Sequence, residues 1–311
     1  MFRELKGHRH GFPVLSSAWV FHVVRADLSE AEHLADEMLR LTDENGTTPG
    51  GEFALGTVYA HRGRFTEARR HIERALEAHA LTGENDLAEF AVPELSVFSR
   101  AYLAHVLWHL GYPDLALTRS REAIAAASEA HPFGMAIALV YAAMLHVFRE
   151  ESKPALELAV QAGAVCGRYE FAYYLAMAEI LVGWARVMQD DSEVGFAQLR
   201  QGFRSFRAAG AELRLPFYHA LLAEACARTG RRGEALASVS NGLAFQSKNG
   251  ELWAAPYLHL AHGDLLRSDG KTEESRASYE RALDAARETG ARSLELRAAA
   301  RMSAPPTRNS H

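Results

Sequence analysis

The run Leu181-Val-Gly-Trp-Ala-Arg-Val-Met-Gln-Asp-Asp-Ser-Glu-Val-Gly-Phe-Ala-Gln-Leu-Arg-Gln-Gly202 carries three glycines, at 183, 195 and 202. Its apolar residues follow a helical period on either side of a polar turn, Gln189-Asp190-Asp191. Two helices cross closely only where the side chains at the crossing are small, so this stretch predicts a tight helical hairpin. The same spacing recurs outward in both directions. The middle small residue recurs as Ala31, Ala68, Ala116, Ala155, Gly195, Ala235 and Ser275, at intervals of 37, 48, 39, 40, 40 and 40 residues. Twelve positions earlier stand Gly56, Ala104, Ala143, Gly183, Ala223 and Gly263; seven positions later stand Ala75, Ala123, Ala162, Gly202, Gly242 and Ala282. A period in this range signals stacked units, each packing mainly on its neighbours.

Each unit reads as an apolar helix, a short turn and a more charged amphipathic helix. In the second unit Phe53 to Arg62 forms the first helix, Gly63-Arg64-Phe65 the turn, and Thr66 opens a helix reaching about Ala80. Turns recur at Gly111-Tyr112-Pro113-Asp114, Gly230-Arg231-Arg232-Gly233 and Asp269-Gly270-Lys271-Thr272. Pro113 and Pro154 suit the first turn of a following helix. The one long interval, Leu81 to Leu95, predicts an extended connection. Residues 293 to 302 predict a capping helix, needed because a bare solenoid end exposes an apolar face. The expected organisation is an N-terminal segment (1–11), a repeat domain (12–302) and a disordered tail (303–311). The fold class is all-α: a right-handed superhelix of seven helical hairpins and a C-terminal cap.

The spacing, with Leu55-Gly56, Tyr59, Ala68, Ala75 and Leu76, resembles the tetratricopeptide repeat in a longer variant. That variant is similar to the regulatory repeats of bacterial signalling ATPases and MalT-like activators. Further stretches resemble the C-terminal repeats of bacterial proteins that join a cyclase or kinase domain to an ATPase. They are Tyr102-Leu103-Ala104 through Leu107-Trp108-His109-Leu110-Gly111-Tyr112-Pro113-Asp114, Ala142 to His146, Gln198 to Gly202, Leu221 to Ala225 and Gly290 to Arg297. With 311 residues given over to repeats, there is no room for those catalytic domains. The resemblance therefore implies an interaction or sensing module.

Composition narrows the choice. Apolar content of 48% argues against disorder, and a net charge of −5 gives no general field for nucleic acid. The clusters Arg69-Arg70 and Arg231-Arg232 lie among acids and read as solvated surfaces. The two cysteines, Cys166 and Cys226, read as buried thiols in a reducing compartment. The N-terminal residues lack a signal peptide's apolar core, and the longest apolar run, Met135 to Leu145, is too short to span a bilayer. A soluble cytoplasmic location follows, without membrane or nucleic-acid partners.

No site for an enzyme emerges. Gly270-Lys271-Thr272 lacks the upstream glycine of a phosphate loop, Leu265 standing there instead, and no strand precedes it. His105 and His109 share a helix face, as do His259 and His262, without a recognisable third metal ligand. No metal or cofactor is expected. In a tetratricopeptide array the first helix of each unit lines the concave side, which selects His105, Trp108 and His109 in the third unit and Met144 and Phe148 in the fourth. Ile180, Trp184 and Met188 follow in the fifth, then the polar set Glu224, Arg228, Asp264 and Arg267. These predict a groove for a protein or peptide, or a small apolar ligand in a sensing role. The competing expectation is that the same side chains pack as core in a tightly coiled repeat. Trp19, with Val20, Phe21, Val23 and Val24, makes the first helix apolar all round, which predicts self-association, a cover from Met1 to Gly11, or an upstream part of a longer ancestral protein that is absent.

Overall fold

The computed structural model describes residues 11–45, 49–81, 94–128 and 132–304. All elements among them are helical. The helices are α1 (Gly11–Val24), α2 (Leu28–Asn45), α3 (Pro49–His61), α4 (Phe65–Leu81), α5 (Leu95–His109), α6 (Pro113–Ser128), α7 (Pro132–Phe148) and α8 (Ser152–Arg168). They continue as α9 (Ala172–Met188), α10 (Ser192–Ala208), α11 (Leu215–Arg228), α12 (Arg232–Asn249), α13 (Ala255–Ser268), α14 (Thr272–Glu288) and α15 (Arg292–Ser303), with a 3₁₀ turn at Leu252–Ala254. Paired in order they make the seven expected hairpins, with α15 after the last. No helix among the described residues is long and apolar enough to cross a membrane.

Every small residue of the repeating triplet is buried, from Ala31 in the first hairpin to Ala282 in the seventh. The reason is backbone proximity. A Cβ on Gly183 would lie 2.3 Å from the Leu199 amide nitrogen, and one on Gly202 would lie 2.7 Å from that of Ile180. Some boundaries move from the sequence expectation. Helix α3 starts at Pro49, and Phe65 is the first residue of α4, buried and stacked 4.5 Å from the His109 ring. Each inner helix is followed by a residue with positive φ: Ala26, Gly63, Gly111, Glu150, Asp190, Gly230 or Gly270. The amide two residues beyond the last turn bonds back into it, as from Glu151 to His146 at 2.9 Å and Lys271 to Leu266 at 3.0 Å. Glycine takes that conformation at no steric cost; Glu150 and Asp190 take it against one.

The coil closes on itself. The Glu212 and Leu213 amides donate to the Val24 carbonyl, 3.0 and 3.1 Å, joining the first hairpin to the entry of the sixth. Gly63 lies against Thr289 and Trp253 of the seventh unit, and Ser293 of α15 donates through its hydroxyl to the Trp108 carbonyl, 185 residues earlier. Units five apart therefore touch, and the superhelix has an inner core as well as the stack between neighbours. The extended connection expected at 81–95 falls largely on residues 82–93, and the tail on 305–311, both outside the described residues; so do residues 1–10. On α1, Phe12, Leu15, Trp19 and Val23 are buried and Trp19 packs on Phe53 at 6.1 Å, whereas Phe21 is 57% exposed.

Candidate functional site

The inner faces of α5, α7, α9, α11 and α13 converge on the coil axis, and most of the anticipated groove is filled there. His105, Trp108, His109, Met144, Phe148, Ile180 and Trp184 are all buried. An open apolar trough over these seven side chains is corrected to an interior core, for a geometric reason. The coil is tight enough for the inner stripes of units three and four to meet those of six and seven. Phe148 packs edge-on to Phe217 at 5.2 Å, Phe217 lies 5.2 Å from Trp253, and Phe148 lies 5.8 Å from Tyr257. Aromatic pairs in this range add modestly to what their burial contributes.

The two neighbouring histidines are structural in geometry. His105 Nε2 donates to the Tyr141 carbonyl at 2.8 Å. His109 Nδ1 donates to the His105 carbonyl at 2.7 Å, leaving its Nε2 to accept from the Tyr257 hydroxyl at 3.1 Å. Burial pushes both imidazoles down to about 3, so both are neutral across the physiological range. No group of three metal-ligating side chains occurs among the described residues.

A polar relay that the periodicity did not reveal runs through this core. The Arg214 guanidinium donates to the hydroxyls of Tyr102 and Tyr141, 2.7 and 2.8 Å. Tyr102 in turn lies 3.2 Å from His61 Nε2, and His61 Nδ1 faces the Glu251 carboxylate at 3.4 Å. That carboxylate accepts from the Arg214 amide, 3.0 Å to each oxygen, and from Trp253 Nε1 at 3.1 Å. Glu251 is wholly buried and Arg214 nearly so. A buried cation and anion are thus joined through a phenol and an imidazole, tying units two, three, four, six and seven together. The sequence signal is faint: two charges inside apolar runs, Leu213-Arg214-Leu215 and Glu251-Leu252-Trp253. Beside the relay is a cavity of about 20 Å³, bordered by His61, Phe65, His105, His109, Phe148 and Arg214. It has room for about one water.

The remaining anticipated residues sit at the mouth of the coil, on the C-terminal ends of α9, α11 and α13. Met188, Glu224, Asp264 and Arg267 are partly exposed and Arg228 is exposed. Glu224 accepts from Trp184 Nε1 at 2.8 Å, and burial, with Glu150 and Asp264 nearby, pushes its carboxyl up to about 7. Arg228 donates to Asp190 at 3.0 Å. Asp264 accepts from the Tyr279 hydroxyl at 2.6 Å and faces Arg267 at 3.4 Å. The mouth therefore alternates acid and base around a methionine.

Tetratricopeptide-repeat models match residues 49–74, 97–122 and 216–239, and a second one matches 256–289, so the chain carries tetratricopeptide repeats. No curated protein matches the sequence. Among solved structures, the fold is similar to the apo form of RapI, with a TM-score of 0.59 and 13% identity over 89% of this chain and 97% of that one. It is similar to a Rap protein complexed with Competence and Sporulation Factor, at 0.56 and 12% over 94% and 96%. It is also similar to the Cut9–Hcn1 hetero-tetramer of APC/C, at 0.60 and 14% over 94% of this chain and 50% of that one. At such identities the likeness is one of fold.

Proposed function

We propose that this tetratricopeptide-repeat chain is a non-catalytic interaction module that holds a protein or peptide partner at the mouth of its coil. The observation that carries the reading is a contrast along the inner helices. Their apolar middles are consumed by the chain's own core, while Met188, Arg228 and Arg267 stay within reach at their ends, with Glu224 and Asp264 beside them. A methionine amid alternating charges offers adaptable apolar contact with polar orientation. The fold relatives support the class of partner: one Rap protein is complexed with Competence and Sporulation Factor, and Cut9 is found with Hcn1. The small-ligand alternative finds no room in the interior cavity, which takes a water rather than a metabolite.

The test is site-specific photo-crosslinking in the native cell. A benzophenone side chain at position 188 is expected to trap a partner that the same group at Val160, exposed on the outer helix α8, does not. The adduct should disappear when Arg228→Glu is added. The same adducts from both positions, or none from 188, would refute a partner at the mouth.

A further inference from the structure

Helix α15 is held by two faces. Leu294 and Ala298 are buried and continue the repeat stack, whereas Ser293, Arg297 and Arg301, each four residues apart, face an earlier turn of the coil. That second face carries hydrogen bonds, ion pairs and a cation–π contact. Ser293 donates to the Trp108 carbonyl, which also accepts from the Gly111 amide at 3.0 Å, and Arg297 donates to the Phe148 carbonyl; both carbonyls stand in the last turns of inner helices. The Arg297 guanidinium also lies over the Trp108 ring, 5.3 Å from its centroid. Arg301 is 3.1 Å from Glu150 and 3.6 Å from Asp264, and Arg297 is 3.6 Å from Glu150. Cations at helix C-termini are favoured by the helix dipole, and the two acids add to that field.

We infer that this seam is an interaction surface for a basic helix, occupied in the resting chain by its own α15. The partner's helix would carry arginines four residues apart, preceded by a small hydroxyl residue at the same interval, and would replace Ser293, Arg297 and Arg301 one for one. One feature of α15 suits a removable occupant: its ion pairs across the coil are made by partly exposed side chains, with Glu150 49%, Arg301 34% and Arg297 17% exposed at the side chain. Displacing α15 would free the Phe148 carbonyl, the face of Trp108 and two carboxylates, a set that selects arginine for its planar fork and its stacking. The inference rests on the partner-binding reading above and names the chemistry of the partner and what guards the surface against it.

The experiment uses the full chain and a fluorescein-labelled peptide of residues 290–304, titrated by anisotropy, with amide exchange of 292–303 followed in parallel. Arg297→Ala with Arg301→Ala is expected to speed exchange in 292–303 at least tenfold and to tighten peptide binding at least tenfold over the wild-type chain. Adding Glu150→Gln and Asp264→Asn should remove that gain, and a peptide with glutamate at both arginine positions should bind to none of the chains. Arg297→Gln alone is the milder variant, for which an intermediate gain is expected if the double variant melts. Equal affinity for wild-type and loosened chains, unchanged exchange, or a gain that survives loss of the acids would overturn the inference. Adducts from position 188 together with any of those results would remove this inference alone; a peptide gain without such adducts would remove only the reading of the mouth.

Discussion

Replacing Gly183 by alanine isolates the physical basis of the whole fold, because it adds one methyl group at the tightest crossing. In an isolated helix the change would be favourable by about 1 kcal/mol. Here the new Cβ would lie 2.3 Å from the Leu199 nitrogen and 2.6 Å from its Cα, so backbone, not a flexible side chain, must yield. Restoring ordinary contact requires α9 and α10 to part by about 1 Å. That opens the adjoining contacts, where Gly195 faces the Gly183 carbonyl and Gly202 faces Ile180. Overpacking of this kind costs about 1–3 kcal/mol or more, and rigid backbone on both sides puts this site at the upper end. After the helix-propensity gain, the net expectation is a loss of about 2 kcal/mol, or about 4 °C in Tm for a chain of this size. Gly163→Ala is the control. It lies inside α8, with its nearest neighbour, the Ala178 Cβ, 4.0 Å away, and should gain about 0.5–1 kcal/mol. Urea titrations followed by circular dichroism at 222 nm compare the three chains. A Gly183→Ala chain as stable as the wild type would mean that small residues are not what sets the helix crossing.

Three further outcomes follow from the interior. Glu251→Gln leaves the Arg214 amide and Trp253 Nε1 one acceptor oxygen where they had two and should cost about 1–3 kcal/mol in urea titrations, while Arg214→Met with Glu251→Gln should lose clearly less than the sum of the single changes. Strict additivity would show that the relay is not a unit. Burial lowers His61 to about 4 and His105 and His109 to about 3, below their unfolded value of about 6.5, so the unfolded chain binds more protons as pH falls. Their neutral forms stabilise the fold above pH 6.5, and about 2 kcal/mol per imidazole should drain away between pH 7.5 and pH 5; a flat Tm across that range would contradict their burial. Glu224 has the opposite sign, because its folded value of about 7 lies above the unfolded one. Glu224→Gln should therefore raise Tm at pH 8 and leave it unchanged at pH 4.5, and an equal effect at both would place the carboxyl in solvent.

Much of this architecture was legible in the sequence because it depends on neighbours along the chain. The triplet at 183, 195 and 202 names the residues on which two adjacent helices touch, and each of its counterparts is buried. The inward direction of Trp108, Met144 and Trp184 was equally legible, since it follows from helical phase within a unit. What they would meet there was not. Whether an inner stripe faces solvent or another stripe depends on the small rotation between successive units, summed over five of them. A slight change per unit would separate Tyr257 from His109, or Ser293 from Trp108. The relay was hidden for a related reason: Arg214 and Glu251 stand in turns, outside the periodic frame, and find their partners only across the coil. Glu150 and Asp190 left a readable trace, as acids in the place where other turns have glycine.

Closure also changes what kind of module this is. In an open array of repeats, stability is a sum over neighbouring interfaces, and a concave surface lies free for its ligand. Here the first hairpin leans on the entry of the sixth through the Val24 carbonyl, and the third leans on the last helix through Trp108. The residues that would make a broad apolar groove are spent on that closure, which leaves helix ends, charges and one methionine accessible at the mouth. Such a surface discriminates by geometry and charge more than by buried area. Beside it, α15 fills the seam through Ser293, Arg297 and Arg301. If the inference about the seam holds, a coil locked by an arginine-bearing helix of its own responds to another segment of the same chemistry, since that segment has to satisfy the Phe148 carbonyl and the Glu150 carboxylate in place of Arg297 and Arg301.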